Sequence, residues 1–171
     1  EGAGKPSPLI GGATTHLALH APCQVVAAIK PRADQSAAGV VISMIEQAGL
    51  QACKTAIYQR LAQRVTGIIV NFPLDDDDAR QVATACGSVP VLFLDVSDRA
   101  PVNSTIFSHQ QGPRLGAEYL LQQGHRQIAL LNGPESSVSA RLRRGGWLDA
   151  LAIQQLQPVA ELYGDWSAMS G

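Results

Sequence analysis

The sequence predicts an α/β fold built on a doubly wound parallel sheet. Apolar strand-like runs alternate with segments of helical period along almost the whole chain. Most of the strand runs are continuously apolar, the pattern of strands covered on both faces. A third observation concerns the end of the chain. After Ser108 only two strands and two helices can be read, too few to bury an independent doubly wound domain, so a second lobe is expected to be incomplete.

Taken in order, Pro8 to Ala13 is short, apolar and glycine-bounded, and predicts the first strand. From Pro22, which suits a first helical turn, Val25, Val26, Ile29 and Ala33 share one helix face. Pro31 removes an amide and crowds the carbonyl of Ala27, at a cost of about 3 kcal/mol inside a helix, so a kink or an early end is expected near Lys30. Val40 to Ile45 predicts a buried strand, and Leu50, Cys53, Ile57 and Leu61 repeat at helical spacing. Val65 to Val70 is a further strand. The acidic run Asp75 to Asp78 opens the next helix, because negative charge is favoured at the positive end of the helix dipole. Val91 to Leu94 predicts a strand and Ser104 to Phe107 a shorter one.

A composition shift at Phe107 and Ser108 divides the chain. Residues 1–7 are expected to be a linker remnant, 8–107 an N-terminal lobe and 108–171 a partial C-terminal lobe. In that second lobe Gln111 to Gln123 predicts a helix stopped by Gly124. Ile128 to Leu131 predicts a strand, Ser137 to Ile153 a helix, and Pro158 to Tyr163 an edge strand.

Composition narrows the function. Hydrophobic residues make up 46% and charged residues 16% of the chain, which excludes disorder. Thirteen Lys and Arg stand against 14 Asp and Glu, for a net charge of -1. Affinity for nucleic acid rests on phosphate neutralisation, so this segment is not expected to hold DNA by itself. No apolar run is long enough to cross a bilayer, and Glu1 to Pro8 shows no secretion signal. Cys23, Cys53 and Cys86 are odd in number and far apart, which predicts small buried thiols in a reducing compartment, the cytoplasm.

In an open parallel sheet, ligands collect beyond the carboxyl ends of the strands. Those exits are polar here: Thr14 and Thr15, Glu46 and Gln47, Asn71, then Asp95. One polar exit is an ordinary turn former, but four in succession predict a lined rim. The catalytic inventory is thin. There is no phosphate-cradling loop and no nucleophile elbow. His16, His20, His109 and His125 lack metal-ligand spacing, and Ser136, Ser137 and Ser139 read as helix capping. Asp95 has no second titrating group assignable to it. Binding without catalysis, metal or cofactor is expected.

The residues also carry a family likeness. His16-Leu-Ala-Leu-His-Ala-Pro22 continues to Gln24, Ala27, Ala28, Ile29 and Lys30. Later come Asn71-Phe-Pro-Leu-Asp75, Phe93-Leu-Asp-Val-Ser-Asp98 and Ser136-Ser-Val-Ser-Ala-Arg-Leu-Arg143. Gly124-His125, Ile128, Gly133, Arg143 to Trp147 and the closing Gly164-Asp-Trp-Ser-Ala-Met-Ser-Gly171 complete the pattern. From about Ala3 to Gly171 the chain resembles the LacI/GalR family of sugar-responsive transcription regulators.

The resemblance implies a periplasmic-binding-protein-like core of two lobes around a sugar site, of which this chain spans roughly half. It implies an operator-binding helix-turn-helix headpiece ahead of that core, a galactoside-like inducer and a homodimer. It assigns Leu19, Ala21, Pro22 and Val25 to the first-lobe wall, Asn71 to a polar neighbour of the cleft, and Asp95 to a carboxylate near the sugar hydroxyls. Arg143 matches a guanidinium whose planar fork donates to adjacent hydroxyls. Phe107 and Trp166 match aromatics suited to the C–H face of a pyranose. Lys30, with Cys53 and Ile57 on the following helix, matches the dimer face. With half a site, the 171-residue chain is expected to bind sugar weakly.

The chain departs from the resembling pattern at Gln47, where an arginine stands near the cleft, and at Cys23 and Pro31. A neutral amide does not replace a bidentate cation beside Asp95. The alternative is a periplasmic sugar-binding transport protein of the same fold, which an export signal would support. An α/β hydrolase or flavodoxin-like enzyme would need a nucleophile with its base, or a phosphate loop.

Overall fold

The computed structural model describes residues 7–15, 20–46 and 49–170, with only the helix backbone described at His20 and Ala21. The chain divides between Thr105 and Ile106 into two compact units.

The first unit runs β1 (Leu9–Thr14), α1 (His20–Gln35), β2 (Gly39–Met44), α2 (Leu50–Ala62), β3 (Gly67–Asn71), α3 (Asp76–Ala85) and β4 (Val91–Phe93). Its four strands are parallel in the order β2-β1-β3-β4. The chain first adds β2 on one side of β1, then β3 and β4 on the other, so a topological switch point falls between β1 and β3. The register sets Thr14 beside Asn71, which brings the carboxyl ends of those two strands level at that point.

Helix α2 packs on β1, β2 and α3. Its apolar stripe delivers Cys53 and Ile57 to the interior, where Val70, Val82 and Phe93 are also fully buried. Helix α3 starts as its acidic run predicts: the Asp75 carboxylate accepts from the Asp78 amide at 2.9 Å, and Asp76, Asp77 and Asp78 fill the first turn.

Three expectations are corrected. Helix α1 continues through Pro31 to Gln35 and does not end near Lys30. Ala27, whose carbonyl loses its helical partner to Pro31, is exposed, so water can serve that oxygen. The segment Val40 to Ile45 is largely an edge strand with half-buried residues, because among the described strands nothing pairs on its outer side. Ser104 to Phe107 forms no strand but one bridge, Phe93 with Ser104. Ser104 and Thr105 are exposed and anchor nothing apolar.

The second unit holds α4 (Gln111–Gln122), β5 (Ala129–Asn132), α5 (Val138–Ile153) and β6 (Ala160–Tyr163), with β5 and β6 paired in parallel. The chain leaves α4 at Gly124 with φ 89°, a left-handed turn that glycine adopts without strain. Ile128, Leu130 and Leu151 form the core, with Leu120, Leu121, Trp147, Leu148 and Leu156 packed around it. Ser137 caps α5, its hydroxyl accepting from the Ala140 amide at 3.3 Å. Strand β5 buries Leu130 and Asn132 and exposes Ala129 and Leu131, so one face of this pair packs on helix and the other is open among the described residues. No described helix is long and apolar enough to cross a membrane.

Candidate functional site

In the first unit, the switch point carries a small polar set. The buried Thr14 hydroxyl accepts a hydrogen bond from Asn71 Nδ2 at 3.2 Å, which fixes the amide at the mouth of the sheet. Asp95 follows β4 and is half-buried, and its backbone carbonyl accepts from the Leu74 amide at 3.3 Å. On α1, Pro22 and Val25 are half-buried. Val25 shares with Thr14, Asn71, Gly12 and Ile29 the wall of a small cleft that opens to solvent. Leu19 and Gln47 lie outside the described residues, as does the Ala21 side chain.

The residues assigned to a dimer face separate sharply. Lys30 is exposed and ion-paired with Asp34 one turn further along α1. Cys53 and Ile57 are 0% exposed, so they cannot supply interface surface as their resemblance implied. The helical period that marks them belongs to a stripe already spent on the unit's own core. Burial raises the Cys53 thiol to about 12 and the Cys86 thiol to about 11, which leaves both inert near neutrality. Cys23, expected to be buried, is exposed.

In the second unit, α5 presents three arginines with three different partners. Arg141 donates to the Glu135 carbonyl at 2.7 Å. Arg144 grips Glu161 of β6 through two bonds, Nε to Oε2 at 2.6 Å and a terminal nitrogen to Oε1 at 2.9 Å. Arg143 lies over the indole of Trp166, its guanidinium carbon 5.8 Å from the ring centroid. Such cation–π contacts contribute about 0.5–1 kcal/mol at exposed sites. His109 sits close enough that burial and, second, the Arg143 charge lower its pKa, which favours the neutral imidazole.

Trp166 is held in an unusual way. Its φ is 69°, in the left-handed region, where a bulky side chain costs on the order of 1–3 kcal/mol. The surrounding turn imposes this conformation. The Ser167 amide donates to Asp165 Oδ1 at 2.8 Å, the Asp165 amide to Ser170 Oγ at 3.1 Å, and the Gly164 amide to the Asn132 carbonyl at 2.8 Å. The Ser167 bonds, with help from Ser170, hold the Asp165 carboxyl down at about 2. The indole rests on Gly133, where a β-carbon would stand 2.1 Å from Trp166 Cζ2, so no larger residue fits beneath the ring. Trp166 still exposes 46% of its surface. A planar guanidinium fork beside an accessible indole offers donors for vicinal hydroxyls and an apolar surface for a sugar ring.

Of the residues marked by sequence, the structure brings Arg143 and Trp166 together and sets Asn71 beside Thr14. Phe107 is 85% exposed and has no packed environment in its own unit. Sequence reading missed Glu161, Arg144, His109 and the role of Gly133 under the ring. Glu161 and Arg144 are 17 residues apart with no periodic relation, so only the pairing of β5 with β6 reveals them. Among the described residues no cluster of His, Cys, Asp or Glu could hold a metal ion.

Comparison with known proteins adds three findings. Residues 20–161 match the family described as periplasmic binding proteins and the sugar-binding domain of the LacI family. The chain is 64% identical to the lactose operon repressor of Escherichia coli K12 and 41% identical to that of Klebsiella pneumoniae. Each match covers 99% of this chain, with 47% and 48% of the respective relatives. The chain therefore spans about half the length of these curated relatives. It superposes with a TM-score of 0.94 and 64% identity on the lac repressor dimer bound to operator and the anti-inducer ONPF, covering 98% of this chain and 59% of that one.

Proposed function

Because the chain belongs to the family of periplasmic binding proteins and LacI-type sugar-binding domains, we propose that it forms part of the effector-sensing core of a cytoplasmic transcription repressor. In this reading it binds a galactoside-like inducer and catalyses nothing. The observation that carries the reading is the Arg143–Trp166 pair, held by a strained turn over Gly133. The first unit is proposed to contribute Pro22, Val25, Asn71 and Asp95, with Leu19 and Ala21 as apolar neighbours, and the second to add Phe107. The curated relatives are repressors, which favours regulation over the transport alternative.

Operator DNA is proposed to be contacted by a helix-turn-helix segment, since the net charge of -1 gives these residues no polyanion footprint. Homodimerisation is proposed through the exposed faces of α1 and α2, where Lys30 and Tyr58 point outward. Sugar can bias such an assembly only by its differential affinity for two arrangements of the protein.

The test is calorimetric titration of methyl β-D-galactoside into the protein as its gene encodes it, before and after Arg143→Lys. Loss of the planar fork should weaken binding by roughly 10- to 100-fold, the cost of one or two charge-assisted hydrogen bonds. Unchanged affinity in Arg143→Lys would remove Arg143 from the site. Sedimentation of the wild-type protein as a monomer at micromolar concentration would remove the dimer.

A further inference from the structure

We infer that Glu161, gripped by Arg144, is a positioning residue that sets Trp166 against Arg143 and thereby tunes ligand recognition; this rests on the sugar-binding reading above. Glu161 is a hub. One carboxylate receives two N–H groups of Arg144 from α5, at 2.6 and 2.9 Å. It also receives Asn132 Nδ2 from β5 at 3.3 Å and the hydroxyl of Tyr163 from its own strand at 3.3 Å. Three elements of the second unit therefore meet on one side chain.

Each of those elements carries part of the Arg143–Trp166 arrangement. Arg144 neighbours Arg143 on α5. Asn132 precedes Gly133, the residue under the indole, and its carbonyl anchors Gly164 at 2.8 Å. Strand β6 ends at Tyr163, from which Gly164, Asp165 and Trp166 depart. The hub thus ties the support beneath the ring, the strand leading to the ring and the helix carrying the cation into one frame. Bidentate geometry distinguishes this pair from an ordinary surface ion pair, which holds little in place. The side chains of Arg144 and Glu161 are 38% and 23% exposed, so solvent screens the contact only in part. The pairing also shifts both groups toward their charged forms, through the Arg144–Glu161 hydrogen bonds first. A positive-φ tryptophan needs an over-determined frame of this kind, because the ring would otherwise relax to a less strained backbone.

The test uses the protein as its gene encodes it, labelled with 5-fluorotryptophan, with the Trp166 and Trp147 fluorine resonances assigned by Trp→Phe variants. In Arg144→Met and in Glu161→Gln the ligand-free Trp166 resonance should move. The Trp147 resonance, from the packed core, should hold still. The dissociation constant for methyl β-D-galactoside should rise about tenfold. The charge-swapped double variant, Arg144→Glu with Glu161→Arg, should bring both readouts back toward wild type. A Trp166 resonance unchanged in both single variants overturns the inference, as does a shift of Trp147 equal to that of Trp166, the mark of general loosening. If the single variants do not fold, a folded swap with a native Trp166 resonance supports the inference, and a displaced one overturns it. A wild-type Trp166 resonance indifferent to the galactoside, with variants that still displace it, supports the positioning role while removing the sugar.

Discussion

The two units solve the problem of covering a sheet differently. In the first, four parallel strands bury Val70 and Phe93 together with Ile57 and Val82 of the helices. In the second, β5 packs on α5 by one face, and the other face of the ribbon presents Leu131 at 70% and Leu162 at 63% exposure. Sheet order explains the difference. A central strand such as β1 has a neighbour on each side and pairs along its whole length. Among the described residues the β5–β6 ribbon has no such strand, and an isolated two-stranded pair is marginal on its own. The second unit joins an apolar core around Leu130 and Leu151 to a set of polar contacts centred on Glu161.

The largest effect that sharpens this contrast is in the first core. Ile57→Ala should cost about 2–5 kcal/mol in denaturant unfolding, as a buried large-to-small change does. Leu131→Ala should change stability by less than about 0.5 kcal/mol, as an exposed substitution does. Equal losses at the two positions would show that the open face of β5 is covered in solution, and would break the comparison.

Next in size is Gly133→Ala. Its β-carbon takes space already held by the indole, so Trp166 must move, and under the proposed function galactoside affinity should fall about tenfold. Ser137→Ala removes the cap of α5 and should cost about 1 kcal/mol, read from the same unfolding curves.

The smallest effect comes with acid. Glu161 is held below the ordinary carboxylate range by Arg144, and Asp165 is held at about 2 by Ser167. Groups depressed in the folded state stabilise it above their ordinary values and lose that contribution as pH falls through the folded ones. The Asp165 turn should therefore loosen between its usual value of 3.8 and about 2, seen as movement of the Trp166 fluorine resonance. Asp165→Asn should reduce that movement to the part that protonation of Glu161 contributes, and a resonance flat across this window in the wild-type protein would remove the role.

Most of this architecture was legible in the chain because its signals are local. The acidic run from Asp75 announces a helix start that the Asp75 cap then makes, and Ser137 does the same for α5. Failures arose where a local signal needed a distant partner to count. Ser104 to Phe107 reads as strand but finds only one bridging residue, and Pro31 is tolerated because α1 is exposed around Ala27. Cys53 and Ile57 were rightly placed on a helix, yet which surface their stripe meets is not written in its period.

The sequence by itself determined the alternation of strands and helices and the family pattern, and through that pattern it marked Arg143 and Trp166 as candidates. Tertiary structure alone decided that β1 lies between β2 and β3, that Glu161 closes on Arg144, and that Gly133 lies beneath the indole. Period and capping act over a few residues, whereas strand order and ion pairing join side chains that the chain keeps far apart.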